Sequence, residues 1–316
     1  MKRHTRRPIV RRRAAGGLMG RRRRVGIALA LIAVAVVVRA HDASALSRAD
    51  DLYEADLALE AIDVLERLLA AARSGPERAE VLWRLSRAAF AVGETMERSG
   101  ADTTAILAMY ERGERYGLEA VAADPENHLG YFWQSASLGR WGQAKGILDA
   151  LHRATPTRDL LRETIDRDPK HAASYHVLGQ LYAQVPGVIS FGDIDSAVSL
   201  ARKSIDLHEE EIASEAVGEL EHEYYIELAS HLIDRNWSAR KRAREQETKR
   251  RAHARTNDRF EQARLYEGIV SIPDVSDRQE AEGLLRDMIR RLRDIPDHRE
   301  VRERRLERAL GLLAGL

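Results

Sequence analysis

The chain contains no cysteine. That excludes disulfides, thiol catalysis, thiolate metal sites and the lipid-modified cysteine that anchors bacterial lipoproteins. Strand signals are scarce, with no sustained alternation of β-branched residues and only 8 prolines and 21 glycines to punctuate 316 residues. Catalytic signatures are missing too: there is no Gly-x-Ser-x-Gly elbow, no glycine-rich phosphate loop and no carboxylate pair in a recognisable catalytic setting. His171, His176, His208, His222 and His231 never fall three or four residues apart, the spacing that sets two ligands on one helical face. The chain therefore reads as non-enzymatic, with no metal and no cofactor.

What is present begins with a tripartite leader. Residues 1–45 carry a run of arginines, an apolar stretch from Val25 to Val38, and small Ala43 and Ala45 at the −3 and −1 positions of a cleavage site. The apolar stretch covers 14 residues, short of the roughly 18–20 that a helix needs to cross a bilayer. Cleavage after Ala45 is expected, with an uncleaved amino-terminal anchor as the alternative. Met19 opens a compact version of the same signal, "MGRRRRVGIALALIAVAVVVRAHDASA", and is the expected start of translation. The residues around the arginines favour general secretion over a twin-arginine route. The expected location is periplasmic or secreted.

Export changes the charge of the working protein. The precursor carries +1, but residues 1–45 hold 12 of its 51 basic residues and 1 of its 50 acidic ones, leaving 39 against 49, a net of −10. An acidic chain has no broad attraction for nucleic acid or anionic lipid. The basic stretch from Arg240 to Arg255 is interleaved with Glu245 and Glu247 and lacks aromatic stacking partners, so it reads as a solvated outer helix face.

From residue 46 to 316 amphipathic helical spacing dominates. Leu57, Ile62, Leu65, Leu68 and Leu69 line one helix, and Val81, Leu82, Leu85, Ala88, Ala89 and Val92 the next, which Gly93 is expected to break. Asp102 and Thr103 suit a helix start, and the Asp-Pro pairs ending at Pro125 and Pro169 close two later helices. Tyr175, Leu178, Gly179 and Tyr182 then set out a large, medium, small and aromatic pattern that returns as Tyr225, Leu228, Ala229 and Leu232. This is the mark of tetratricopeptide-type helical hairpins, so the fold class is all-α, a helical hairpin solenoid. Gly179 and Ala197 are the small residues expected where two helices cross. The charged stretch after Asn236 is read as the second helix of the unit that begins at Tyr225, and residues 257–316 as capping helices. Between Gln184 and Ile194 the loop "VPGVISFGD" is longer than a hairpin turn needs, which marks it as a candidate functional feature.

A stack of such hairpins leaves a concave groove that holds peptides or other ligands. His176, Gln180 and Gln184 occupy the groove-facing positions of their helix and are candidate ligand contacts; the competing reading makes His176 a partner for a neighbouring helix end. Trp133 and Trp141 are candidate contacts or packing between hairpins, and Arg140 and Lys145 candidate sites for an anionic group. The expected partner is a protein or peptide, with a small-molecule ligand as the alternative. The leucine-rich tail from Leu306 to Leu316 has a face to hide, which makes a homo-oligomer plausible.

The pieces "GYFWQSASLGRWGQAKGI", "LLRETIDRDPKHAASYHVLGQLYAQV" and "AVSLARKSIDL" resemble, in order and spacing, the tetratricopeptide region of the regulator of microtubule dynamics proteins and their bacterial relatives. They are similar also to the helical T-component of tripartite periplasmic transporters. The resemblance implies a tetratricopeptide fold and a binding role, and in the second case an accessory that handles ligands for a solute permease. The cysteine that a lipid-anchored T-component needs after its signal is absent.

Overall fold

The computed structural model describes residues 44–146, 151–215, 220–295 and 300–316. Residues 1–43 of the leader, with its apolar run and Met19, lie outside the described residues, while Ser44 and Ala45 begin α1. Thirteen helices and no strand occur among the described residues: α1 (44–54), α2 (Ala58–Ala71), α3 (Gly75–Arg98), α4 (Thr103–Ala123), α5 (His128–Lys145), α6 (Leu151–Arg167), α7 (Ala172–Gln184), α8 (Ile194–Ala213), α9 (His222–Arg235), α10 (Ala239–His253), α11 (Arg259–Arg264), α12 (Asp277–Asp294) and α13 (Glu300–Ala314). A short 3₁₀ turn covers Tyr266–Gly268.

Local chemistry sets where these helices begin. Ser74 caps α3 by accepting from the Glu77 N–H at 3.2 Å while the Glu77 carboxylate accepts from the Ser74 N–H, satisfying two amides that lack a partner in the helix. Asp102 caps α4 through the N–H groups of Thr104 and Ala105. At the other end of an element, Asn236 in the left-handed region (φ 51°) closes α9.

Consecutive helices pack on one another as the pairs α3 with α4, α5 with α6, and α7 with α8. Tyr175, Leu178, Gly179 and Tyr182 are buried in α7, and Tyr225, Leu228, Ala229 and Leu232 in α9. A Cβ on Gly179 would lie 3.3 Å from the Ala197 carbonyl oxygen, so the expected close crossing of α7 and α8 is present. Gly93 does not break α3, which runs through it to Arg98. A Cβ there would lie 2.5 Å from the Tyr110 ring, so this glycine exists to let α4's buried tyrosine approach. Leu57 precedes α2 and is 42% exposed, outside the apolar face assigned to it.

The carboxy-terminal third departs most from expectation. α9 pairs with α12, not with the charged α10. The reason is chemical: Ala281, Leu285, Met288, Ile289 and Leu292 of α12 give α9 an apolar face, and α10 has none to offer. Within the 257–316 segment, α11 packs on α8 and α6, α12 completes the last pair, and α13 alone lies beyond it.

α10 is held instead by its polar side. Arg242, Gln246 and Lys249 fall at i, i+4 and i+7, one helical face, and that face points inward. Arg242 meets Asp277 at 3.1 Å, Lys249 meets Glu267 at 2.8 Å and Asp195 at 2.6 Å, and Gln246 donates to the Glu267 and Val270 carbonyls. Arg235 forms a fork on Asp277 (2.9 and 2.8 Å) and also reaches Glu267, while Arg202 forks on Glu280 (2.8 Å twice). Four cations thus face the four carboxylates Asp195, Glu267, Asp277 and Glu280, and every side chain except Asp195 is at most 9% exposed. Such a network tolerates burial because its charges balance, four against four, and hydrogen bonds meet nearly all of its polar atoms, Arg242 Nε being the exception.

Candidate partner-binding groove

Helices α3, α5, α7 and α9 touch in series and wall a groove of about 1340 Å³ whose far rim is α13. Its floor on α7 alternates polar and apolar groups: His176, Gln180 and Gln184 at one helical spacing, with Val177 and Leu181 beside them. Arg140, Gln143, Gln180 and Gln184 face into the same space, and Gln143 Nε2 donates to Gln184 Oε1 at 3.0 Å, linking α5 to α7.

Four of the seven candidate ligand contacts therefore converge on the groove: Arg140, His176, Gln180 and Gln184. Trp133, Trp141 and Lys145 do not line it. Trp133 sets its ring against Phe90 of α3 (centroids 5.8 Å apart), which is packing between α3 and α5, and against its own neighbour Phe132 (5.1 Å). Trp141 donates its indole N–H to Glu111 at 3.1 Å and lies under the Arg153 guanidinium at 3.8 Å. Lys145 is exposed at the end of α5.

Arg140 is engaged by acids. It contacts Glu97, lies 3.7 Å from Glu94 and donates to Gln143 at 2.8 Å. Burial pushes the Glu94 carboxyl up, against the pull of Arg140 and Arg98. An anion arriving at Arg140 would have to compete with both glutamates.

His176 stacks on Tyr224 of α9 at 4.4 Å, and its buried Nδ1 has no hydrogen-bond partner. Burial depresses its pKa to about 4, with nearby His231, Arg308 and Arg305 adding to the effect and Glu227 opposing it. The imidazole is therefore neutral at pH 7. The helix-end role belongs to a different histidine: His208 Nε2 accepts from the Glu221 N–H, the cap residue of α9, at 2.8 Å. That bond fixes the His208 proton on Nδ1, where Glu211 accepts it at 3.2 Å.

The groove's other wall escaped the sequence reading. Glu221, Glu223 and Glu227 of α9 meet Arg305 and Arg308 of α13. The available signal was the pairing of an acid-rich segment, "ELEHEYYIE", with a basic one, "VRERRLER".

Paired helices stacked around a concave wall define this chain as a tetratricopeptide-type helical solenoid. Residues 45–188 match the family described as regulator of microtubule dynamics protein 1-3. Over 134 residues the chain is 28% identical to regulator of microtubule dynamics protein 1 of Bos taurus, covering 42% of this chain and 40% of that relative, so it spans about two fifths of that curated protein's length. Among solved structures it is similar to a thermophilic TPR protein of Thermus thermophilus, with a TM-score of 0.52 and 16% identity, over 85% of this chain and 99% of that one. That likeness carries the fold.

Proposed function

We propose that this chain is an exported, non-enzymatic scaffold that holds an extended segment of a partner protein along the α3–α5–α7–α9 groove. The carrying observation is the groove itself: at about 1340 Å³ it exceeds the roughly 300–1000 Å³ of most small-molecule sites. Its wall also offers a row of amide side chains suited to a peptide backbone. Gln180 and Gln184 supply donors and acceptors, Val177 and Leu181 supply apolar contact, and neutral His176 forms the floor. The mixed charge of the walls selects a partner segment carrying both signs rather than a polyanion.

The test is crosslinking and affinity measurement in the envelope fraction of the host. Arg140→Ala combined with Gln180→Ala is expected to weaken the captured polypeptide by at least about 30-fold, as truncation of central contacts does. Unchanged capture would refute the groove as the binding surface. A small solute found in the groove by native mass spectrometry, in place of a polypeptide, would replace this reading with a transport-accessory one of the T-component kind. Amino-terminal sequencing of the same sample tests export: a start at Leu46 is expected, and an intact leader would make the segment an anchor.

A further inference from the structure

The groove's end wall is built by the chain's own last helix, and the contact between them has an unusual division of labour. α13 packs Leu306, Leu312 and Leu313 against α9 and α12, but these are only partly buried, and Ala309 is the one fully buried side chain among its described residues. Its charged side meets the acids of α9: Arg305 with Glu221 and Glu223, Arg308 with Glu223 and Glu227. The arginine side chains in these pairs are 25% and 37% exposed, against 0–9% for those of the α10 network. Partly exposed pairs are screened by salt more than buried ones, although Glu227 itself is only 7% exposed. α13 is therefore seated by a partly exposed charge cluster together with a partly buried leucine face, whereas α10 is seated by buried charge without an apolar face.

The seat itself has a definite chemistry. Without α13, α9 would present Glu221, Glu223 and Glu227 beside Leu220, Leu292 and Ile295, an acidic rim around an apolar strip. Burial already pushes the Glu223 carboxyl up, with Arg308 and Arg305 opposing it, so removal of the arginines would leave a half-buried carboxylate without its counter-charges.

We propose that the α9–α12 end of the groove is a recognition site for an arginine-rich amphipathic helix, that α13 is its resident occupant, and that a partner helix with the same pattern displaces it. This rests on the groove-scaffold reading and adds a second element of the partner, a helix apart from the extended segment on α5 and α7: arginines at i and i+3 on one side of a leucine face, as in Arg305 and Arg308 beside Leu306, Leu312 and Leu313. Displacement also widens the groove, since Val301, Arg302 and Arg304 of α13 line its far rim.

The experiment uses the full chain and a synthetic peptide copying residues 300–316. In Arg305→Glu/Arg308→Glu, hydrogen exchange is expected to rise at least tenfold in α13 while α9 and α12 remain protected, and the peptide is expected to bind at least tenfold more tightly than to the unaltered chain. Adding Glu223→Lys and Glu227→Lys should abolish that binding. Arg308→Gln, a milder change, should give the same direction with the far-ultraviolet dichroism unchanged, separating displacement from unfolding. Protected α13 amides in both arginine variants, or no peptide binding once they exchange freely, would overturn the proposal. So would a dimer that trades α13 between copies, because the site would then serve a second copy of this chain. Failure of the Arg140/Gln180 test leaves peptide binding at α9 untouched, so the two ideas fail separately.

Discussion

Glu267→Gln should be the most damaging conservative change in the molecule. The Glu267 side chain is 3% exposed and accepts from Arg202 Nε (3.1 Å), Arg235 Nη1 and Nη2 (2.5 and 3.0 Å) and Lys249 Nζ (2.8 Å). Glutamine has the same shape but one acceptor oxygen, and its amide group would point N–H donors at cations. The network would change from four charges against four to four against three. Burial alone would raise the Glu267 carboxyl, yet hydrogen bonds from Arg235 and the charges of Lys249 and Arg202 outweigh it and hold the group well below the usual carboxylate range. Removing one partner of such a buried set costs about 3–5 kcal/mol. At roughly 2–4 °C per kcal/mol for a large domain, the melting temperature should fall by on the order of 10 °C. In a solenoid the loss is local, so exchange protection should drop first across α8 to α12 and last in α3 and α4. The sign with pH follows from the depressed pKa: the stabilisation is fully present above about pH 4.3, the unfolded value, and is lost as pH falls below it. The gap between wild type and variant should therefore narrow as pH falls from about 4.3 towards 3, closing only below the depressed folded pKa. Thermal melts by circular dichroism from pH 7 to pH 3 measure this, with Glu119→Gln, exposed on α4, as the control expected to stay within about 0.5 kcal/mol. A drop under about 2 °C at pH 7, or a gap that persists unchanged at pH 3, would refute the reasoning.

Two further outcomes are expected. Gly93→Ala should destabilise by about 1–3 kcal/mol in urea titration despite alanine's better helix propensity, because the new Cβ meets the Tyr110 ring at 2.5 Å; Gly283→Ala, with nothing within 4 Å, should instead stabilise by about 0.5–1 kcal/mol. Equal effects at the two sites would remove the close-approach argument. His176, whose pKa is depressed to about 4 by burial, should show no titration by NMR between pH 7 and pH 5.5, and its share of stability should decline as pH falls from about 6.5 towards 4, since the unfolded chain takes up the proton first. A midpoint near 6.5 would place the ring in solvent.

The architecture was legible wherever apolar residues kept a helical period. Tyr175 to Tyr182 and Tyr225 to Leu232 announced two inner helices because a pattern of sizes repeats only if the same packing repeats. Ser74 and Asp102 marked helix starts because capping is local. The α7 row of His176, Gln180 and Gln184 could be placed on the groove by spacing alone. Trp133 and Trp141 could not be sorted the same way, since an aromatic on a solenoid helix can face a groove or a neighbouring hairpin, and only the partners Phe90 and Glu111 decide it.

Sequence by itself therefore determined the helical class, the hairpin repeat and the floor of the groove, all properties set by neighbours within a few turns. Tertiary structure alone decided which helix completes the last pair, which histidine bonds a helix end, and that a stretch of arginine and lysine is partly interior. A buried charge is tolerable only when its counter-charges arrive from elsewhere. The partners of Lys249 and Arg242 lie on α8, on the 3₁₀ turn and on α12, up to 54 residues away along the chain. No local pattern carries that information, because the free energy of those contacts exists only once the distant segments have met.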